Sequence, residues 1–576
     1  MNTSRISDPH LVSLLEKQSS QTPNDDYLFY KKNETYHPLT YSDTWKMVEL
    51  ASSRLLQFNI QKGDRICVIA STSPEWEIIN YAILLIGCVT VGIANSSSKD
   101  SVQSIVNDCG ASLVVYETRS DSDLSKSFRL PSATLRSLIP DLGQGQGLQD
   151  RVNRPLLSSD DPATIIYTSG TTGLPKGILY THEQLLLGAR AILNAFPAPR
   201  GSNLICWLPL AHMYQRIMNL YGLLLGAKIF FVRDPKFIIN ECKCVHPYLF
   251  SAVPSFYNQI YDEFLKELSM ERATSQSIMR KYLSISSYKH FNTHRVAKLL
   301  KNTPLTLLKK YRNLLGTKLE YPLTGSAPTP SATLAFFHAL GIPLYEGYAM
   351  SENTIPISIS NPQNYKMETV GRPVVDNHFK ISKDGEILVK GRGIFRGYYN
   401  DLNSDRFFTS DNYFKTNDLG YLDSQKFLRL TGRKSDIIKT STGRKIAPTK
   451  IEALVQDHPD ISHCLVHGNN QKFLIGLIAY GKVSYPPQKD LFQYAEERLT
   501  NHIHEINQKL SKQEQVWIWG IIYGSFSIQR KEITPTLKLR RNSIIDNYKQ
   551  LVSELYQIEM KITEEVSPHF LHHRPS

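Results

Sequence analysis

Between Asp64 and Val115 the chain alternates apolar runs (RICVIA, CVTVGIA, ASLVVY) with stretches of helical character (PEWEIINYAILLI, SVQSIVNDCG). Parallel strands need a crossover between them, and a helix is the usual one, so this alternation predicts βα units and an α/β fold. The pattern resumes at ATIIYTSG, NLICWLPL and KIFFV. Residues 118–163 are rich in Ser, Asp, Pro and Gly and read as surface connections. After Thr369 the character changes to short strands with turns (HFKISKDGEILVKG, FLRLTGRKSDIIK), which predicts an antiparallel subdomain. From about Asp436 helices (KIEALVQDHP, KDLFQYAEERLTNHIHEINQKL) mix with strands (HCLVHG, FLIGLIAY, WIWGIIYG), an α+β cap. At roughly 150 residues per folding unit, 576 residues suit three or four such pieces.

Composition narrows the class. Hydrophobic residues at 41% and charged residues at 21% exclude a disordered, collagen-like or coiled-coil chain. Seven scattered cysteines do not make a disulfide framework, which predicts a reducing, cytoplasmic setting. Cys242-x-Cys244 with His246 lacks the second ligand pair of a zinc site. The first twenty residues carry Asp8 and Glu16 and no apolar core, so no secretory signal is expected. The most apolar window, Ile78 to Ala94, is broken by Asn80, Gly87 and Gly92 and is too short to span a membrane. It reads as a buried helix running into a strand.

The net charge of +13 is concentrated. Eleven Lys or Arg and no acid lie between Arg272 and Lys318. Within this segment Leu307, Leu308, Tyr311, Leu314 and Leu315 form a helical apolar stripe beside Lys309, Lys310 and Arg312. Two readings follow: a helix packed on its own domain with a solvated basic back, or a peripheral surface facing anionic lipid. Nucleic acid is not expected as a partner, because stacking aromatics are not interleaved with the basic residues.

The most specific chemistry is at Ile165 to His182, IIYTSGTTGLPKGILYTH. A β run leads into a loop that offers the hydroxyls of Thr168, Ser169, Thr171 and Thr172, with Gly170, Gly173 and Gly177 for close backbone approach and Lys176 as counter-charge. Such a loop cradles a polyphosphate. It is not the Walker pattern, since no Ser or Thr follows the lysine.

YTSGTTGLPKG resembles the phosphate-binding loop of the adenylate-forming superfamily, which comprises acyl-CoA synthetases, luciferases and peptide-synthetase adenylation domains. Further segments match in order: LPLAHMYQR, TGSAP, FFHALGIPLYEGYAMSENT, VGRPV, GEILVKGRGIFRGYYN, FKTNDLGYLD, LRLTGRKSDIIKTSTGRKIAPTKIE and TPTLKLRR. LPLAHM, FRGYYN and IAPTKIE are most similar to long-chain fatty acyl-CoA synthetases. The resemblance implies a large N-terminal domain over residues 1–433, a hinge at 434–437 and a mobile C-terminal cap over 438–576.

It also implies roles and substrates: ATP, Mg²⁺, a fatty acid and CoA. Thr168 to Lys176 would hold the β and γ phosphates, and Glu352 would reach Mg²⁺ with the Thr168 hydroxyl nearby. Tyr348 would stack on adenine opposite the backbone of Gly325, Ser326 and Ala327, with Ser351 also counted among the nucleotide contacts. Asp418 would take the ribose hydroxyls, with Arg433 beside ribose and phosphate. His212 would orient the acyl carboxylate, and Lys538 would enter on the cap to meet the carboxylate and α-phosphate. Gly443 would line the path of the pantetheine thiol.

Two positions depart from the family pattern: Ser435 stands where Asp or Lys is usual at the hinge, and Asn417 where Gly is usual. Asparagine tolerates the left-handed conformation that glycine often supplies. The acceptor stays open between CoA and the phosphopantetheine of an acyl carrier protein, and a catalytically reduced lipid-binding relative is the alternative from another class.

Overall fold

A computed structural model describes residues 10–118, 130–139, 142, 154–169, 175–273, 276–277, 279, 283, 306–458, 460–481, 489–527, 529–533, 539–558 and 569–573. The protein is mixed α/β, with a large N-terminal domain and a smaller C-terminal one.

Two mostly parallel sheets form the bulk of the large domain. In the six-stranded sheet, Ser132–Thr134, Leu113–Tyr116, Arg65–Ile69, Val89–Ile93 and Pro162–Ser169 run parallel, and Pro175–Thr181 closes the edge antiparallel. In the nine-stranded sheet the parallel core is Tyr345–Met350, Tyr321–Gly325, Leu249–Ala252, Asn203–Cys206, Lys228–Phe231 and Asp26–Lys32. Antiparallel strands flank both ends of it, Thr35–Thr40 on one side and Asn353–Ile359 with Arg372–Pro373 on the other. The short strand Ser132–Thr134 and the helical turn Leu135–Leu138 correct the reading of 118–163 as connection alone.

The apolar window resolves into the helix Pro74–Leu85 and the strand Val89–Ile93. Ser73 caps the helix by accepting from the Trp76 N–H, and Pro74 starts it without wasting a donor. Every residue from Trp76 to Leu85 is buried, because the helix sits between layers instead of on a surface. Among the described residues no helix is long and apolar enough to cross a membrane.

A separate four-stranded sheet, Asn377–Ile381, Glu386–Gly391, Phe414–Leu422 and Leu428–Arg433, is antiparallel throughout, as the change of pattern after Thr369 predicts. The C-terminal domain carries Ile461–His467, Ile475–Tyr480, Ile518–Tyr523 and His569–His573, with the helices Pro448–Gln456 and Lys489–Lys509.

Much of the basic segment lies outside the described residues. Its described end forms the helix Thr306–Arg312, and Leu308, Tyr311 and Leu315 are buried. Tyr311 packs edge-on to Phe264 and Lys310 pairs with Glu267, so this part of the stripe faces its own domain.

Candidate active site

Parallel sheets gather their ligand-facing residues beyond the carboxyl ends of their strands. Here the strand Pro162–Ser169 is buried at Ile165 and Ile166 and turns back as Pro175–Thr181, with Thr168 paired opposite Lys176. Residues 170–174, and with them Gly170, Thr171, Thr172 and Gly173, lie outside the described residues, as does the Ser169 side chain. Gly177 is closely packed: a Cβ there would stand 3.0 Å from Ile165 and Tyr167 and 3.1 Å from Tyr399, so those side chains would have to shift to admit one. The Tyr399 N–H donates to the Gly177 carbonyl at 2.8 Å, which fastens the FRGYYN segment to the hairpin.

That segment carries a residue to which sequence reasoning gives no role. Tyr398 donates from its hydroxyl to Glu352 Oε1 at 2.7 Å, while the Lys176 ammonium lies 5.0 Å from the centre of its ring. Burial, and then the Glu352 carboxylate, push the Tyr398 hydroxyl well above its usual range, so it stays a donor. Tyr180 donates to the Ser351 carbonyl at 2.5 Å and so ties the strand after Lys176 to the turn that carries Glu352. A cavity of about 410 Å³ opens beside this cluster, lined by Lys176, Gly177, Tyr398, Asn400 and Asp108 among others. The phrase FRGYYN is the one sequence signal that points to Tyr398.

A second cluster joins the nine-stranded and four-stranded sheets. The Tyr348 hydroxyl donates to Asp418 Oδ2 at 2.7 Å, and Arg433 Nε lies 3.0 Å from Asp418 Oδ1. Asp418 and Arg433 are direct partners on adjacent antiparallel strands, so the register of that sheet sets the pair. Burial, and then Asp418, raise the Tyr348 hydroxyl far above its usual range. Burial alone would lower Arg433, but Asp418 and Asp436 outweigh it and hold the guanidinium charged. Gly325 pairs with Gly347 in the parallel ladder, and a Cβ on Gly325 would stand 2.8 Å from the Gly347 carbonyl. Ser326 follows with φ +74°, which turns Gly325 to Ala327 away from the strand beside Tyr348.

His212 caps the helix Met213–Leu225 without a side-chain capping bond, and burial holds its imidazole below the usual range, hence neutral near pH 7. A buried polar network fixes that helix. Arg216 donates to the Thr164 hydroxyl at 2.5 Å and to Asn80 Oδ1 at 2.9 Å, and Asn219 donates to Glu77 Oε2 at 3.1 Å. Burial pushes the Glu77 carboxyl up to about 7, against the opposing pull of Asn219 and Arg216. Sequence reasoning does not find this network, because its members come from three separate stretches of chain.

The structure does not bring all the predicted residues together. Gly443, at φ +79°, has open space around it in the loop between the strands Ile438–Lys439 and Lys445–Ile446. Lys538 lies outside the described residues; the described Ile533 and Leu539 form an isolated antiparallel bridge. Asn417 adopts φ +61°, the left-handed conformation expected of it.

A two-domain α/β fold with these clusters where three sheets meet is that of an adenylate-forming enzyme. The chain belongs to the AMP-binding enzyme family: residues 15–399 match the family's AMP-binding enzyme domain, and residues 435–560 match the AMP-binding enzyme C-terminal domain. Among curated relatives, a long-chain-fatty-acid–CoA ligase of Mycobacterium bovis is 28% identical, over 93% of this chain and 95% of that protein. Another from Gallus gallus is 26% identical, over 94% and 80%. Among solved structures, o-succinylbenzoate CoA synthetase of Bacillus subtilis, in complex with an acyl-adenylate intermediate, superposes with a TM-score of 0.71 at 19% identity, covering 93% of this chain and 98% of that one. The A-PCP didomain of carboxylic acid reductase from Segniliparus rugosus, in complex with AMP, gives 0.74 at 18% identity, covering 95% and 82%.

Proposed function

We propose that this protein activates a long-chain fatty acid with ATP and transfers the acyl group to CoA. The observation that carries the reading is the closeness of two clusters, Lys176, Tyr398 and Glu352 in one and Tyr348, Asp418 and Arg433 in the other, with the Arg433 charge felt at Tyr398 and the Glu352 charge felt at Arg433. The first has the charge and donors for a polyphosphate, and the second has a carboxylate to accept from ribose hydroxyls beside a charged guanidinium. Similarity to long-chain-fatty-acid–CoA ligases along nearly the whole chain supports the choice of acid.

In the first half-reaction a carboxylate oxygen forms a bond to the α-phosphorus of ATP, and the bond to the bridging oxygen breaks to release pyrophosphate. The difficulty is repulsion between two anions, so the protein's work is positioning and charge neutralisation. Lys176 screens the outer phosphates, and neutral His212 orients the carboxylate without forming an ion pair that would blunt its nucleophilicity. Lys538 meets the charge that develops at the α-phosphate. In the second half-reaction the small domain turns about residues 434–437, the thiol sulfur attacks the acyl carbonyl, and AMP leaves while the thiol proton passes to solvent. Gly443 then lines the approach of the thiol.

Glu352 and Thr168 offer only oxygen donors, which suits Mg²⁺. Glu352 Oε1 already accepts from Tyr398, which leaves Oε2 for the cation. Mg²⁺ would take its remaining ligands from phosphate and water and would neutralise charge on the polyphosphate.

The acid is tested by offering a mixed pool of C2 to C20 acids with ATP and Mg²⁺ and identifying the CoA thioesters by mass spectrometry. Thioesters confined to short or aromatic acids would overturn the long-chain assignment, and preference for a holo-carrier protein over CoA in competition would change the acceptor. Lys176→Ala removes a charge-assisted contact worth about 1.5 to 3 kcal/mol. Acid-dependent ATP–pyrophosphate exchange should fall at least about ten-fold, and wild-type exchange in the variant would remove Lys176 from the phosphate site.

A further inference from the structure

Glu386 opens the strand Glu386–Gly391, and its side chain is 7% exposed. Each carboxylate oxygen has its own donor: the Asn417 backbone N–H reaches Oε1 at 3.0 Å, and the Lys434 ammonium reaches Oε2 at 2.8 Å. These donors flank the ribose-facing pair, since Asn417 immediately precedes Asp418 and Lys434 immediately follows Arg433. Lys434 has a second acidic partner, Asp384, at 2.6 Å. The two departures from the family pattern touch each other beside this carboxylate: Asn417 Nδ2 donates to Ser435 Oγ at 2.8 Å, and Ser435 Oγ donates on to Asp436 Oδ1 at 3.2 Å. Asp436 in turn lies 3.5 Å from Arg541, which is bound to Glu452 in the small domain.

We propose that Glu386 is a positioning residue that holds the Asn417 amide and the Lys434 ammonium together, and so sets the Asp418–Arg433 pair for the ribose while clamping the hinge to the large domain. The proposal rests on the two-domain reading above and adds to it a residue outside the nucleotide contacts. The reason is geometric. A nearly buried carboxylate with one donor on each oxygen couples the positions of the two donors, so moving either one is felt by the other. The Asn417–Ser435 bond is a second tie across the same junction.

Substitution separates the two grips. Glutamine at 386 retains an oxygen that can accept from the Asn417 N–H but loses the charge that holds Lys434, whereas alanine loses both. Two measurements on the full-length protein test the proposal: AMP affinity by calorimetry, and amide hydrogen exchange of segments 416–419 and 432–437 without ligand. Glu386→Gln, Lys434→Met and Ser435→Ala should each speed exchange in the hinge segment by at least about five-fold. The Glu386→Gln/Lys434→Met double variant should exchange no faster than the quicker single variant, because the two act as one contact. Glu386→Ala should bind AMP at least about three-fold more weakly than Glu386→Gln does, since it alone frees the strand that carries Asp418. Additive exchange effects, or equal AMP affinity in the Ala and Gln variants, would overturn the assignment. A merely structural glutamate would lower the melting temperature in both variants without separating these readouts. Failure of the wild-type protein to bind AMP would instead count against the nucleotide site itself, and the exchange experiment would still decide the clamp.

Discussion

Replacing Lys538 with alanine should nearly abolish acyl-adenylate formation from acid and ATP while leaving the later transfer to CoA almost untouched. One preorganised cationic contact to charge that develops in a transition state is worth about 3 to 4 kcal/mol, or roughly 10² to 10³ in rate. A lysine ammonium suits this task because it is a compact charge on a flexible stem. The assignment of Lys538 to the first step only comes from the resemblance of TPTLKLRR to the family's mobile cap loop. The experiment supplies synthetic acyl adenylate with CoA and follows thioester release beside the forward adenylation assay. An equal fall in both steps, in a variant whose circular dichroism matches wild type, would make Lys538 structural or shared and would remove the case for two arrangements of the cap.

The second large effect is on stability. Arg216 is 5% exposed and satisfies Thr164 and Asn80, with the Glu77 carboxylate nearby. Arg216→Met should cost about 3 to 5 kcal/mol near pH 8, because it leaves a buried acid without its cation and two acceptors without their donor. The loss should shrink toward pH 6. Burial already raises Glu77 from 4.5 to about 7, and removal of the arginine raises it further. A carboxyl raised on folding contributes stability at low pH that is lost as pH climbs through the folded value. The urea midpoint of the variant relative to wild type should therefore worsen from pH 6 to pH 8. A gap that does not change with pH would mean that Glu77 does not carry the effect. Because this network holds the helix that begins after His212, the variant should also raise KM for the acid.

Six parallel strands, Arg65–Ile69, Val89–Ile93, Leu113–Tyr116, Pro162–Ser169, Asn203–Cys206 and Lys228–Phe231, were legible because each is a short apolar run, and the Gly- and Thr-rich loop was legible because its glycines and hydroxyls are contiguous. Asp26–Lys32, Leu249–Ala252, Tyr321–Gly325 and Tyr345–Met350 were not, because polar residues, Pro or Gly interrupt their apolar runs. Contacts that need two distant stretches were not legible either. Tyr398 and Glu352 lie 46 residues apart, and nothing local in either segment says that they meet. Glu77 sits on a largely apolar helix, where a buried acid reads as an exception until Asn219 and Arg216 are seen to face it. Edge strands were also hidden. Ser132–Thr134 pairs on one side only and needs no apolar alternation. Thr35–Thr40 contains Pro38, which an edge tolerates and a central strand does not. In the basic segment the stripe was legible, but whether it faced protein or lipid depended on Phe264 and its neighbours in a different helix.

The order of the nine-stranded sheet also sets a timetable for synthesis. Asp26–Lys32 pairs on its inner side with Lys228–Phe231, so Leu28 meets Ile229 only after roughly two hundred further residues have been made. At about 5 to 20 residues per second, the first hairpin stands with an open edge for about 10 to 40 s. Such an edge invites pairing with another nascent chain, and Lys31 and Lys32 at the end of the strand discourage it. Asp418 and Arg433 emerge later still. A ribosome-bound chain that stops short of Arg433 lacks the Asp418–Arg433 pair proposed to hold the ribose, so capture on immobilised AMP is expected to distinguish finished large domains from stalled ones.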